Sequence, residues 1–511
     1  MDSLAFELTE LLALLMIATA VAVLVKYIRL PYTIALVLVG LFVGMVRLLP
    51  EVPLTEEIIF YLILPPLLFE GALNMDIQHI KNNFRPISLL AIAGVLISTL
   101  TVGYLMSYLI AIPLAIALLF GAMITPTDPV SVLAAFKALG VPKRLSTIVE
   151  GESILNDGTG VVLFGILFEM VRGSGLDLID GAITFLVVVI GGAAIGFILG
   201  YVGYKILGYI DDHLIEVTIT LILAFSVFII AETLKVSGVI AVVMAGLIIG
   251  NYGKYLSMSP TTRVTLITFW GFLVFIVNSI VFLLIGLDIH LDKLIVYWKP
   301  IVMAVVVVLI ERALSVYPLV NLSNIKSKLK IPFQWQHVIF WGGLHGTIPV
   351  ALALGLGDVP YRDLLASMTF GVVLFSLVVQ GLSMEFFIKR SSLVRKEEKQ
   401  LEYEELMGKA IAVKAARKEL EKMVEEGLIA HVIAEELNVQ FEKETEELSK
   451  KIAALIGEDG LLRKEMDMIA RRRILQAEKS ALNDAVVKGL ISEEVARKII
   501  ERIDVELAEE L

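Results

Sequence analysis

Four stretches of this chain place charged or oxygen-bearing side chains in otherwise apolar surroundings. They are "LPPLLFEGALNM" with Glu70, "FGAMITPTDPVSVL" with Asp128, "GESILNDGTG" with Glu152, Ser153, Asn156 and Asp157, and "LIERALSVYP" with Glu311 and Arg312. A charge at the centre of a bilayer costs several kcal/mol, so such residues mark function by default. Carboxylates, hydroxyls and freed backbone carbonyls, in a chain without cysteine and without an H-x-x-x-H pair, suit a hard cation. A monovalent ion fits better than calcium where the same carboxylate must also release it readily. Protons compete for that oxygen, and keeping a carboxylate from water disfavours its charged form. One acid can therefore hold either a proton or a cation.

Helical spacing divides the labour. Residues four apart share a face, so Ser153 and Asp157 line one stripe while Glu152 and Asn156 line another. Glu152 and Asp157, five apart, point roughly 140° away from each other. Asp157 is expected to face the interrupted segment around Asp128 and to carry the ion. Glu152 is expected to pair with Arg312, the only Lys or Arg lying deep within an apolar run. Asp128 reads as a site acid or as a helix cap beside proline, and Glu70 as a site acid near the end of its run. Glu311 reads as facing a polar seam.

These side chains need elements that hold them at membrane depth. The chain has 511 residues, of which 57% are hydrophobic. Apolar runs of about 20 residues, the length that crosses a bilayer, fall at 8–27, 31–49, 56–74, 86–111, 113–137, 145–171, 178–207, 214–234, 236–253, 264–287, 299–321, 333–356 and 363–389. Thirteen crossings with the charged tail inside put the N-terminus outside. They also distribute Lys and Arg about fifteen inside to six outside, as the positive-inside rule requires. Two runs are chemically broken: the fifth by Pro126 and Pro129, the twelfth, "WGGLHGTIPVALAL", by three glycines and Pro349. The prolines are expected to push Thr125 and Asp128 out of helical geometry, and Pro349 to deprive the His345 carbonyl of its partner. If runs 1–6 and 8–13 form two inverted halves, the breaks occupy the fifth place in each. Paired interrupted segments point to a transporter's midplane site.

With "LPPLLFEGAL", "FGAMITPTDPVSVL", "GESILNDGTGVVLF" and "WGGLHGTIPVALAL" in order, the region 10–390 resembles the sodium/proton antiporters of the cation:proton antiporter-1 family, which includes the NhaP proteins and the animal exchangers. The resemblance implies an all-α polytopic fold of about thirteen transmembrane helices in two inverted repeats with two unwound crossing helices. It also implies a homodimer in the cell membrane, and electroneutral exchange of one Na⁺ or Li⁺ for one H⁺ in pH and sodium homeostasis. Its ion-binding positions correspond to Glu70, the Thr127 main chain, Asp128, Ser153 and Asp157, with Asn156 hydrogen-bonding nearby and Glu152–Arg312 as a supporting pair. Where the family's twelfth segment often carries Arg, this chain has His345, which reads either as altering the pH window or as a neutral side chain bonded to backbone. No cofactor is expected beyond the transported Na⁺ and H⁺.

Residues 1–392 thus read as a transmembrane domain and 393–511 as a cytoplasmic helical domain. The first 394 residues are about 12% charged and the remainder about 42%, with 21 basic against 28 acidic residues in that tail. The acidic balance argues against nucleic-acid binding, and membrane lipid is the expected surrounding. The tail's helical periodicity is interrupted at Gly427, Gly457, Gly460 and Gly489, and "GLIAHVIAEEL" is weakly echoed by "GLISEEVARKI". The N-terminus lacks a basic n-region and reads as a retained first span. The same residue types leave K⁺/H⁺ exchange open. An intramembrane aspartyl protease lacks its Tyr-Asp and Gly-x-Gly-Asp context, and the chain reads as a transporter rather than an enzyme; a channel on the same scaffold is a further alternative.

Overall fold

The computed structural model describes residues 2–28, 30–46, 57–173, 178–210, 212–325, 327, 330–390 and 393–458, with scattered positions from 463 to 503. Among the described residues all regular structure is helical. The chain begins with α1 (Asp2–Ile28) and α2 (Tyr32–Val46), and a π-helical turn, Ile58–Ile63, leads into α3 (Leu64–Asn74). Short α4 (Ile77–Asn82) and α5 (Phe84–Ser88) precede a second π turn, Leu89–Gly94, and α6 (Val95–Ile110). Next come α7 (Leu114–Ile124), α8 (Val130–Leu139), the long α9 (Lys143–Val171) and α10 (Leu178–Leu207). After α11 (His213–Thr233) and α12 (Gly238–Ile248), the π-helical stretch Ile249–Ser257 leads to α13 (Pro260–Asp288). The series continues with α14 (Leu291–Val296), α15 (Trp298–Asn324), α16 (Phe333–Trp341) and α17 (Thr347–Leu354). α18 (Arg362–Phe375), a π turn at Ser376–Gly381 and α19 (Leu382–Arg390) follow. The tail holds α20 (Leu393–Glu425) and α21 (His431–Glu458).

Helix lies over each of the thirteen apolar runs. Among the described residues seven helices have the length and composition to cross a bilayer unaided, and shorter apolar helices lie before and between them. α10 is apolar along nearly its whole length, yet little of it is buried, with Ile190, Phe197 and Ile198 all exposed. An apolar helix surface left outside the core is solvated by lipid. The protein is a multi-pass membrane protein.

Packing between the helices relies on small residues, since lipid offers no hydrophobic drive for helices to associate. In α10, Gly192, Gly196 and Gly200 lie directly against Ser237, Ala241 and Ala245 of the α12 segment, so that a Cβ at any of them would collide with backbone. Gly40 of α2 meets Gly286 of α13 in the same way. Close backbone approach fixes these pairs.

The chain folds as two compact units, Met1–Leu393 and Val394–Leu511. Within the second, α20 and α21 are joined through Gly427, whose φ of +71° suits glycine. Arg417 of α20 reaches Glu442 of α21 at 3.3 Å. Pairs four apart, such as Glu405–Lys409 and Glu446–Lys450, line its exposed faces. Gly460 and Gly489, at which the periodicity also breaks, lie outside the described residues.

Candidate ion-binding site

Both expected breaks are present: residues 125–129 separate α7 from α8, and residues 342–346 separate α16 from α17. Pro349 takes the third position of α17, where a backbone N–H would lack a helical partner anyway. Thr125 departs from expectation. It keeps helical dihedrals (φ −66°, ψ −37°) despite preceding Pro126. Its hydroxyl bonds back to the Gly121 carbonyl at 2.7 Å, which anchors the last turn and postpones the unwinding to Pro126. The His345 carbonyl is also not bare, since the Ser376 hydroxyl lies 3.2 Å from it and accepts the His345 N–H at 3.1 Å.

The two breaks meet. The Asp128 N–H donates to the Leu344 carbonyl at 2.7 Å. The buried ring of His345 places Nδ1 3.3 Å from the Pro126 carbonyl. Gly346 lies so close to the Asp128 side chain that any Cβ there would collide with it.

The middle of α9 packs against this junction. Ser153 donates from Oγ to the Thr127 carbonyl at 2.6 Å. Asn156 donates from Nδ2 to Thr127 Oγ1 at 2.8 Å and accepts the Thr127 N–H at 3.4 Å. Asn156 thus faces the break alongside Ser153, not the side of Glu152: a spacing of three shares a face as well as one of four. Asp128 caps α8, accepting the Val130 N–H at 2.9 Å, and its charge also acts on that of Asp157. A carboxylate that caps a helix can still present its second oxygen to an ion.

These groups line a cavity of about 140 Å³, room for a cation with a few waters. Its polar walls are Glu70, Asp128, Glu150, Ser153, Asp157, Asn278 and Thr347, and Leu64, Leu68 and Ile348 supply apolar wall. Glu70 lines the cavity but is half-buried, and its Oε1 accepts a hydrogen bond from Asn74 at 2.6 Å. Among the described residues no three His, Asp or Glu side chains converge tightly enough to cage a metal ion. The chemistry on offer is one or two carboxylates, a hydroxyl and a carbonyl beside space for water, a set that suits weak, exchangeable binding of a hard cation.

The opposite side of α9 differs. Glu152 forms an ion pair with Arg312 of α15 at 2.5 Å, both side chains being largely buried. Arg312 also donates to the Ile339 carbonyl at 3.2 Å, and Gly343 packs directly against its guanidinium. Glu311, buried beside it, accepts a hydrogen bond from Ser98 of α6. Two groups lining the cavity lie outside the sequence motifs, Glu150 and Asn278, and Thr347 lies within the twelfth-run motif without being singled out there. Glu150 carries a detectable signal, because it lies seven residues before Asp157 on the Ser153 stripe.

Two interrupted helices crossing beside an acidic cavity in a multi-pass bundle define a secondary transporter fold. The sodium/hydrogen exchanger transmembrane family model matches residues 11–390, and the chain belongs to that family. The Na(+)/H(+) antiporter NhaG of Bacillus atrophaeus is 40% identical over 499 residues, covering 94% of this chain and 93% of that protein. The low-affinity Na(+)/H(+) antiporter NhaS1 of Synechocystis is 36% identical over 506 residues, covering 96% and 95%. Both similarities therefore run on into the tail, beyond the antiporter region to which the motif resemblance is confined. Among solved structures, the sodium proton antiporter MjNhaP1 of Methanocaldococcus jannaschii shares the fold, with a TM-score of 0.64 at 22% identity over 76% of this chain and 98% of that one.

Proposed function

We propose that this protein exchanges Na⁺, and Li⁺ with it, for H⁺ across the cell membrane, one for one and without net charge movement, in the service of pH and sodium homeostasis. The observation that carries the reading is Asp157, placed on the wall of the 140 Å³ cavity where the Thr127–Asp128 break, the Ser153 hydroxyl and the Asp128 carboxylate converge. With the cavity facing one side, Asp157 takes a proton or a cation, and binding one expels the other. The cation would engage Asp157 and Asp128, and Ser153 would release the Thr127 carbonyl to join them. Glu70 serves the same cavity from α3. Asn156 holds Thr127 in place, and Glu152–Arg312 fixes α9 against α15. Either loaded form then crosses as the bundle rearranges between two access states. No cofactor takes part, and Na⁺ and H⁺ are substrates.

The same reading places the N-terminus outside, residues 393–511 in the cytoplasm, thirteen crossings in two inverted halves, and two copies in a homodimer. His345, bonded to the Pro126 carbonyl, would set the pH window through the break itself. The relatives named above are named for sodium, which favours Na⁺ over K⁺ as substrate. The test is proteoliposomes carrying a pH gradient, challenged with Na⁺, Li⁺ and K⁺. Na⁺ and Li⁺ are expected to collapse the gradient without a membrane potential, K⁺ to leave it standing, and Asp157→Ala to abolish the response. Collapse by K⁺ alone, or flux that generates a potential, would overturn the proposal.

A further inference from the structure

Tyr32 and Thr33, consecutive in the first turn of α2, tie that helix to different parts of the bundle. The Tyr32 hydroxyl lies 2.8 Å from Ser279 Oγ of α13 and 3.2 Å from the Ala18 carbonyl of α1. Its ring stacks on Phe275 of α13, and Gly40 meets Gly286 further along. α1, α2 and α13 are thereby one wall. Thr33 turns elsewhere. Its Oγ1 lies 2.5 Å from the Oγ of Ser131, in the first turn of α8, and both residues are buried.

The two ends of this bond belong to opposite sides of the ion cavity. Ser131 follows Asp128 by three residues, on the half-helix that Asp128 caps. On the other side Asn278, next to the Ser279 that anchors Tyr32, lines the cavity from α13. The cavity thus lies between α3 and α13 on one hand and α8 and α9 on the other. Turning it toward the opposite face of the bilayer shifts these sides against each other. A hydroxyl–hydroxyl bond is lost once its oxygens part by about 1 Å. Beside it the contact is apolar, with Ile34 resting on Gly381, whose missing side chain leaves nothing to interlock. The hydroxyl pair is therefore a polar peg in an otherwise smooth contact, and parting it would leave two buried hydroxyls to find new partners.

We propose that the Thr33–Ser131 hydrogen bond is a latch: it is made in the access state of this structure, broken in the other, and sets how readily the ion-bearing half-helix leaves α2. Neither residue touches the ion. This rests on the exchange proposed above.

The chain has no cysteine, so the latch can be exchanged for a reducible one by combining Thr33→Cys with Ser131→Cys. Oxygens 2.5 Å apart place the replacing sulfurs within easy reach of a disulfide bond. In proteoliposomes the reduced double variant should exchange Na⁺ for H⁺. Copper phenanthroline should stop it, a reducing agent should restore it, and either single variant should ignore both. Na⁺ should still raise the Tm of the oxidised form, since a protein that binds its ion is stabilised by it; movement, not binding, is then what the bond arrests. Ser131→Ala and Thr33→Val should each change Vmax by about twofold to tenfold, the equivalent of one neutral hydrogen bond. Combined, they should do no more than either alone. Disulfide-bonded protein that exchanges at the parental rate overturns the proposal, as do thiols that fail to pair under oxidant. Loss of Na⁺ stabilisation on oxidation overturns it too, by assigning the pair to the shape of the site. A parental Vmax in Ser131→Ala does the same, and that variant remains informative even if the cysteine pair does not fold. A parent that fails to exchange Na⁺ for H⁺ would instead sink the functional reading.

Discussion

Glu152 and Asp157 share one helix and differ in everything else. Glu152 meets a guanidinium at 2.5 Å and is closed off from the cavity, while Asp157 opens into it beside a second acid. A buried acid that meets a guanidinium holds two helices together. One facing a like charge and a pocket of a few waters is open to exchange partners. Five residues, and the roughly 140° of rotation they imply, separate the paired acid from the one that faces the cavity.

The sharpest way to break this contrast is to neutralise each acid in turn. Asp157→Asn should abolish Na⁺/H⁺ exchange while leaving the purified protein as thermally stable as the parent, read by scanning fluorimetry and gradient collapse on one preparation. Arg312→Met should do the reverse in kind: it strands Glu152 without its partner and is expected to cost about 3–5 kcal/mol of stability. The double change Glu152→Gln with Arg312→Met should recover much of that loss in Tm. If Arg312→Met lowers turnover without lowering Tm, the two sides of α9 are not divided as argued.

Ser153→Ala sharpens the comparison at smaller scale. It removes one oxygen from the Asp157 side, and a hydrogen bond of this kind is worth about 0.5–1.5 kcal/mol. A KM for Na⁺ raised about threefold to tenfold, with exchange retained, is the expected outcome. His345→Arg tests the pH window by the pH–rate profile, which should shift if the ring's own titration sets it. Smallest of all should be Arg417→Ala in the tail, where an exposed pair is worth about 0–1 kcal/mol; its Tm should be indistinguishable from the parent's.

What the sequence can convey follows from how local each signal is. Apolar runs and the Pro-Gly interruptions are local, so helices fall over every run and both breaks appear where proline and glycine put them. Glu152 and Arg312 can be matched from scarcity, since no other cation lies deep in a run. The meeting of Asp128 with Leu344 cannot be matched, because it depends on which distant segments cross. Thr125 escapes the proline rule because its hydroxyl is anchored to Gly121, a contact that the rule does not weigh. Asn278 and Thr347 are single polar residues in apolar company, and nothing in spacing tells a cavity wall from a satisfied interior. The tail carries no oxygen-rich motif to mark kinship, although the similarity to NhaG and NhaS1 continues through it.

The backbone bond between Asp128 and Leu344 has a mechanical corollary. The donor is the Asp128 backbone N–H, so only proline at that position would delete it, and pulling the two interrupted helices apart would cost up to about 1–3 kcal/mol for each group left without a new partner. In the proposed exchange cycle, the displacement that turns the cavity from one face of the bilayer to the other would then carry both half-helix pairs as a single cargo-bearing block, with the give located outside that knot.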